Sequence, residues 1–228
     1  MLKLLKNLKQ LNGNKKKRGR DKSMKKFALV IGHNPRGKGA HSIYLGLSEY
    51  EYWRNVCDEI NQIDDSIDIY SRKPEENYIQ EMKPVVTEIN KHNYNFILEL
   101  HFNAASQQAK GCESLVYFKN EQAKKIATAF MNKLKAEYGS NIRKEWNKLK
   151  EKKIDKNGKE EIIEKTVETQ GIILITDSKT RGGYGICNTN CTYVLVEPFF
   201  GTNEEASKFK DVKKMAHFIV NFINSMKI

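Results

Sequence analysis

The sequence predicts an α/β fold, namely a single domain with a mostly parallel central sheet flanked by helices. Short apolar runs of strand length alternate along the chain with longer segments whose apolar residues recur at helical spacing. This alternation is typical of a parallel sheet with helices packed on its faces. A third observation is chemical, because three of the apolar runs end near a side chain that can bind a metal or carry a proton. Ligands of open α/β sheets bind beyond the carboxyl ends of the strands, where such side chains would meet.

The most informative run is FILELHFNAA, Phe96 to Ala105, whose apolar part is short and bounded by polar residues, as in a buried strand. Side chains alternate along a strand, so Ile97, Glu99 and His101 are expected to share one face. His101 then lies where the chain leaves the sheet, which suits a metal ligand that Glu99 supports from behind. The alternative interpretation is a hydrogen-bonded histidine at a strand end, with Glu99 as a buried ion-pair partner.

Two further runs deliver comparable side chains at the same relative place. FALVIGH, Phe27 to His33, ends in a histidine and enters a loop that contains Gly and Pro. TYVLVEPFF, Thr192 to Phe200, carries the carboxylate Glu197 near its end. Because the carboxyl ends of parallel strands lie at the same edge of a sheet, we expect these side chains to converge on one site.

A helix after the first strand brings in another carboxylate. Ser48 is a favourable N-cap residue, and the helix is expected to run from it to about Ile60. Spacings of three and four residues place an inward stripe on this helix, formed by Glu49, Trp53, Val56 and Ile60. Glu49 is therefore an inward-facing carboxylate at a helix start. It either complements the helix dipole or, near the two strand-end histidines, acts as a metal ligand.

The remaining elements complete the alternation. The sequence predicts further strands at 67–70, 112–118 and 171–177, and helices at 84–92, 122–138 and 211–226. Pro84 is the expected start of the first of these helices because proline is favoured at the first helical position. Residues 178–186 are rich in Gly and predict a loop.

Residues 139–170 fit the pattern least and are interpreted as an insertion at the surface. Their first part, residues 142–153, is polar and favours a helix. Asn157 and Gly158 form a dipeptide that is typical of a β-hairpin turn.

The charge of the chain is concentrated at its N-terminus. Of the net charge of +12, residues 1–26 contribute +10, from eleven Lys or Arg and one Asp. We interpret residues 1–23 as a basic appendage or linker and residues 24–228 as the folded domain. A basic tail suits a polyanion such as nucleic acid or an anionic wall polymer, and the alternative is a solubilising segment.

The sequence also indicates the cellular compartment in which the protein is made. No apolar run approaches the length of a transmembrane helix, and the N-terminal leucines are interrupted by Lys, unlike a secretory signal peptide. The four cysteines lack the spacing of a zinc site and are expected to be free thiols, with a disulfide between Cys187 and Cys191 as the alternative. We expect synthesis in the cytoplasm, with any export by a route other than a signal peptide.

Four segments together resemble a known family. VIGHN, SEYEYWRNV, LELHFNAA and VLVEPFFGTNEEA, at 30–34, 48–56, 98–105 and 194–206, are similar to zinc-dependent N-acetylmuramoyl-L-alanine amidases of the amidase-3 type. The chain looks most like the catalytic domains of clostridial phage endolysins. One departure is that Asn34 and Pro35 follow the first histidine, where the family often has two glycines, so the family's shape is not implied for that loop, whereas the role of the histidine is.

The resemblance implies an amidase-3-like fold for residues 24–228 and assigns roles to the converging residues. It implies that His33, Glu49 and His101 bind one Zn²⁺ and that Glu197 is the catalytic carboxylate. Such a site keeps one open zinc position for water. Among the remaining polar residues, Glu99 is a candidate to orient an imidazole. Asn103 and Arg181 are candidates to contact substrate, with structural roles in their loops as the alternative.

The implied function is that of a peptidoglycan hydrolase. It would cleave the amide between N-acetylmuramic acid and the L-alanine of the stem peptide, act at the bacterial cell wall after release from the cytoplasm, and cause lysis, as a bacteriophage endolysin does. One alternative is another zinc peptidoglycan peptidase, such as a carboxypeptidase. A second alternative is a polyanion-binding protein that acts through its basic tail.

Overall fold

The computed structural model describes residues 27–154 and 160–226. The basic appendage at 1–23 and the Asn157-Gly158 turn therefore lie outside the described residues. The strands are β1 Phe27–Ile31, β2 His41–Ser42, β3 Leu47–Ser48, β4 Asp68–Ser71, β5 Phe96–Leu100, β6 Glu113–Tyr117, β7 Lys144–Ile154, β8 Glu160–Gln170, β9 Ile172–Ile175 and β10 Tyr193–Glu197. The helices are α1 Glu49–Ile63, α2 Tyr78–Ile89, α3 Glu121–Tyr138, α4 Gly183–Asn188 and α5 Val212–Ser225, with a 3-10 helix at Glu204–Phe209.

Six strands form the central sheet, in the order β4-β1-β5-β10-β6-β9. Every neighbouring pair in this sheet is parallel except β10 with β6, which is antiparallel. The predicted mostly parallel α/β sheet is therefore confirmed. Strands β1, β5 and β10 end at the same edge of the sheet, whereas β6 begins there.

Helices cover both faces of the sheet. One core cluster holds the inward residues of α1, α3 and α5 together with Phe96, Leu98 and Leu100 of β5. The other holds α2 and α4 residues together with Ile97. The alternation predicted for this strand is thus observed, and the polar residues Glu99 and His101 follow Ile97 on the face of the smaller cluster.

Helix α2 begins earlier than predicted. It starts at Tyr78, where the side chain of Asn77 accepts a hydrogen bond from the amide of Gln80 (3.1 Å), and it ends at Ile89. Pro84 lies inside the helix rather than at its start. Burial of an apolar stripe compensates for the backbone hydrogen bond that this proline cannot donate, and the stripe consists of Met82, Val85, Val86 and Ile89.

The insertion differs from its predicted helix. Residues Lys144–Ile154 form a strand, which pairs antiparallel with β8 along all eleven residues. Cross-strand pairing thus overrides helix propensity, as tertiary context commonly does. A second difference lies in the predicted loop at 178–186, because Gly183–Asn188 forms the short helix α4.

The hairpin is attached to the main sheet through Asn147. Its buried amide donates to Ile172 O (3.0 Å) and its carbonyl oxygen accepts from Leu174 N (2.6 Å). These two backbone groups lie on the outer edge of β9, the last strand of the sheet. A side-chain amide thus provides the hydrogen bonds that a neighbouring strand would provide.

The cysteines are free thiols, and Cys187 and Cys191 form no disulfide. Burial raises the pKa of the Cys112 thiol to about 12, so this cysteine is unreactive. Across 27–154 and 160–226, none of the helices combines the length and the apolar character that crossing a membrane requires.

Candidate active site

A cleft of about 790 Å³ opens at the edge of the sheet where β1, β5 and β10 end. His33, Glu49, Glu99, His101, Asn103, Arg181 and Glu197 all line it. The predicted convergence of strand-end side chains is therefore observed, and every candidate site residue named from the sequence lies in this one cleft.

Glu49 is placed by the start of helix α1. Ser48 and Glu51 form a capping box that fixes this start, and Glu49 follows the cap as the first helical residue. Its side chain is buried and lies between two histidines, with Oε2 3.1 Å from His33 Nε2 and Oε1 2.8 Å from His101 Nδ1. The backbone amide of Phe102 also donates to Oε1 (3.1 Å).

The two histidines occupy the loops after β1 and β5. His33 has a φ of 64°, an uncommon value outside Gly, and Arg72 Nε donates to its carbonyl oxygen (3.2 Å). His101 Nε2 lies 2.9 Å from Glu99 Oε1, and the hydroxyl of Tyr193 donates to Glu99 Oε2 (2.8 Å). Glu99 therefore lies behind His101, on the side away from Glu49.

One ligand atom from each of His33, Glu49 and His101 lies within 4.8 Å of the others, which is a possible metal site. Two imidazoles and one carboxylate are a donor set that suits Zn²⁺. The contact between Glu99 and the second ring nitrogen of His101 is the partner that metal-bound histidines usually have. The residues present therefore fit a catalytic zinc ion.

The metal-free site holds a proton on His101. Burial alone would lower the pKa of His101, but Glu49 and Glu99 outweigh it and raise this pKa to about 10. Burial alone would raise the pKa of Glu49, but hydrogen bonds with His101 and His33 lower it to about 2. A metal must displace the His101 proton to bind, so metal affinity should increase with pH.

Glu197 is the last residue of β10 and is buried in the same cleft. Burial raises the pKa of its carboxyl to about 7, against the opposing effects of the His101 and Arg181 cations. Arg181 contacts Oε1, whereas Oε2 is buried and has no hydrogen-bond partner among the described residues. Glu197 is therefore a carboxylate that exchanges a proton near neutral pH.

Asn103 and Arg181 contact a buried residue that we did not single out from the sequence. Asn103 Nδ2 donates to Glu113 Oε1 (2.6 Å), and Arg181 Nη1 lies 3.4 Å from the same oxygen. Glu113 is the first residue of β6, a run that is otherwise mostly apolar. A charged residue in such a strand is a signal that could have identified it.

The chain is similar to a family of known proteins. Residues 28–225 match the Amidase_3 family, N-acetylmuramoyl-L-alanine amidase. No curated protein matches the chain. The family match favours an amidase over a carboxypeptidase or a polyanion-binding protein.

Solved structures of three relatives share the fold. The catalytic domain of the CD27L endolysin, which targets Clostridia Difficile, is 20% identical with a TM-score of 0.61, over 90% of this chain and 99% of that domain. The CwlD amidase from Clostridioides difficile, in complex with the GerS lipoprotein, is 15% identical with a TM-score of 0.58, over 89% and 100% of the two chains. Ami1 from Mycobacterium smegmatis is 14% identical with a TM-score of 0.54, over 89% and 98%.

The family match extends over almost all of the described chain, and the observed fold agrees with it. The chain belongs to the Amidase_3 family of N-acetylmuramoyl-L-alanine amidases, which are peptidoglycan hydrolases.

Proposed function

We propose that the chain hydrolyses the amide between the lactyl group of N-acetylmuramic acid and the L-alanine of the stem peptide, with one zinc ion held by His33, Glu49 and His101. Family membership and the donor set of these residues support the proposal. Bound there, zinc would lower the pKa of a water molecule and polarise the scissile carbonyl group. Glu99 is proposed to hold the ring of His101 in its ligand orientation.

Glu197 is the proposed general base. The burial of its carboxyl group in the cleft is the main observation in support of this mechanism. Its pKa of about 7 is close to the working range of a general base. The buried Oε2 atom has no hydrogen-bond partner among the described residues, and it is the proposed acceptor of a proton from the attacking water. Glu197 then passes this proton to the leaving nitrogen of L-alanine.

The reaction exchanges a carbon–nitrogen bond for a carbon–oxygen bond. A bond forms between the oxygen of water and the lactyl carbonyl carbon, and the bond between that carbon and the alanine nitrogen breaks. The products are a lactyl carboxylate and a stem peptide with an N-terminal ammonium group, which holds both protons of the water, and Glu197 returns to its ionised state. Asn103 and Arg181 line the cleft and remain proposed contacts of the substrate.

We further propose that the protein acts on the bacterial cell wall as a lytic enzyme, such as a bacteriophage endolysin, after its release from the cytoplasm. The likeness to the catalytic domain of the CD27L endolysin supports this context. The basic segment at 1–26 is proposed to bind an anionic wall polymer, with nucleic acid as the second candidate.

Digestion of purified peptidoglycan, followed by mass spectrometry of the products, tests the reaction. The expected products are stem peptides with a new N-terminal L-alanine and glycan strands without new reducing ends. Release of a C-terminal amino acid from the stem peptide would instead indicate a carboxypeptidase. Either that result or the absence of any product from zinc-loaded protein would contradict the proposal.

A further inference from the structure

Two buried carboxylates face each other across neighbouring strands at the floor of the cleft. Glu113 of β6 is the direct cross-strand partner of Glu197 of β10. The two residues are only 4% and 3% exposed, respectively. Like charges directly opposite each other destabilise a sheet, so this pair requires a neutralising group.

Arg181 supplies the neutralising charge because it contacts both carboxylates. Its Nη1 lies 3.4 Å from Glu113 Oε1, and its Nη2 contacts Glu197 Oε1. A guanidinium presents several donors in a rigid fork and can engage two carboxylates, whereas an ammonium is a single point charge. The Arg181 side chain is 52% exposed, so we attribute its position to these contacts rather than to burial.

Both carboxylate oxygens of Glu113 make polar contacts that hold its side chain in place. Asn103 Nδ2 donates to Oε1 (2.6 Å), and Arg143 Nε lies 2.8 Å from Oε2. Arg143 precedes strand β7, so the base of the hairpin contributes to this fixation. Glu113 is consequently the rigid end of the chain of contacts that runs through Arg181 to Glu197.

We infer that Glu113 is a positioning residue for the reaction, because it anchors Arg181 so that Arg181 engages one oxygen of Glu197 and leaves the other free to accept the proton of water. The inference rests on the proposed function, in which Glu197 is the general base. It adds a second buried carboxylate that acts on the base without touching the substrate.

The first test replaces Glu113 with Gln in the zinc-loaded protein. Glutamine has nearly the same size but carries no charge, so the ion pairs of position 113 with Arg181 and Arg143 are lost. We expect zinc content and folding to be retained and kcat to fall roughly 10- to 100-fold, the range observed when outer partners of metal sites are removed. Wild-type kcat in a folded Glu113→Gln protein would overturn the inference.

The pH profile provides a readout that a purely structural role would leave unchanged. The charged groups that face Glu197 are Arg181 after β9, Glu113 on β6, His101 after β5 and Glu49 on α1. Arg181 lowers the pKa of Glu197. A Glu113→Asp variant keeps the negative charge but has a shorter side chain, so if Glu113 anchors Arg181, this variant should move the acid limb of the kcat profile to higher pH. An acid limb that does not move, or that moves to lower pH, would overturn the inference.

Glu145 offers a matched control. Its Oε1 lies 3.0 Å from Arg143 Nε, the atom that also contacts Glu113, but Glu145 has no contact with Arg181 among the described residues. Glu145→Gln should keep wild-type kcat and pH profile. Reduced activity with a shifted acid limb in this variant would assign the effect to Arg143 and overturn the role of Glu113.

Arg181→Lys provides a second route if Glu113→Gln does not fold. Lysine keeps the charge but cannot bridge two carboxylates, so the acid limb should again move to higher pH. A wild-type profile in this variant would overturn the inference. Activity that survives in Glu197→Gln would instead refute the proposed function, so the two failures are distinguishable.

Discussion

The backbone of Gly39 lies against the carboxylate of Glu49. A Cβ atom at position 39 would lie 2.7 Å from Glu49 Oε2 and 2.8 Å from His33 Nε2. Gly39 also has a φ of 74°, where residues with a side chain are strained. The loop after His33 is thus fitted closely around two of the proposed ligand atoms.

Replacing Gly39 with Ala should therefore weaken zinc binding, by roughly 10- to 100-fold, the range observed when the support of metal ligands is removed. Gly46→Ala is the matched control, because Gly46 has a φ of 70° and open space where its Cβ would lie. Both variants should lose about 1–2 kcal/mol of stability from the positive φ. Zinc titration of the two purified variants makes the comparison, and equal affinities would contradict the expectation.

The proposed ligands can be tested by removing both histidines. A His33→Ala, His101→Ala double variant should retain no stoichiometric zinc, because only the Glu49 carboxylate of the donor set remains. His41→Ala is a suitable control, since His41 is exposed in the short strand β2 and lies outside the ligand group. Elemental analysis of the purified proteins measures the metal, and full zinc in the double variant would refute the assignment.

Substitution of Glu197 with Gln separates the role of a base from that of a ligand. The amide is nearly isosteric, so zinc content and folding should be retained. Turnover of muropeptides should fall by roughly 10²- to 10⁴-fold, the usual contribution of general acid–base catalysis. Loss of zinc in this variant would make Glu197 a ligand, and near wild-type turnover with full zinc would remove it from the mechanism.

The same substitution should stabilise the metal-free protein at alkaline pH. The pKa of Glu197 rises from 4.5 to about 7 on folding, so the folded state retains a proton that the unfolded state releases between these values. The retained proton stabilises the folded state fully below pH 4.5, and this stabilisation is lost as pH rises through about 7. The loss amounts to roughly 3 kcal/mol at most, at 1.36 kcal/mol for each pKa unit. Denaturant unfolding at several pH values should show Glu197→Gln gaining stability over the wild type as pH rises.

Deletion of the basic N-terminal segment should weaken adhesion to anionic cell walls. Residues 1–26 carry +10 of the net +12, so most of the attraction to a polyanion is expected to originate there. Salt should reproduce the effect, because exposed charges are screened over roughly 10 Å at 0.1 M ionic strength. Turnover of small soluble muropeptides should survive the deletion. Sedimentation with purified walls measures the binding, and unchanged binding by the truncated protein would refute an affinity role.

The residues of the cleft could be predicted from the sequence because their positions depend on local patterns. Alternation along β5 placed Glu99 and His101 on one face, and the strand ends indicated where His33 and Glu197 would lie. Helical spacing placed Glu49 inward. Each of these inferences needs only the period of a strand or helix and the common direction of parallel strands.

What the sequence did not reveal depends on pairing between distant segments. Glu113 comes opposite Glu197 only because β6 runs antiparallel to β10, and no local pattern specifies that direction. The strand at Lys144–Ile154 likewise forms because β8 pairs with it, against a helix-favouring composition. The predicted start of α2 was wrong because the N-cap residue Asn77 determines where the helix begins, whereas Pro84 was the stronger signal in the sequence.

The amide of Asn147 also bears on how the protein behaves in concentrated solution. A sheet that ends in an uncovered strand offers its backbone to strands from other molecules, which is a common route to aggregation. At β9 the outward groups Ile172 O and Leu174 N are already bound by Asn147. The uncharged side chain of Asn147 therefore helps to keep separate copies of this protein from pairing at this edge of the sheet.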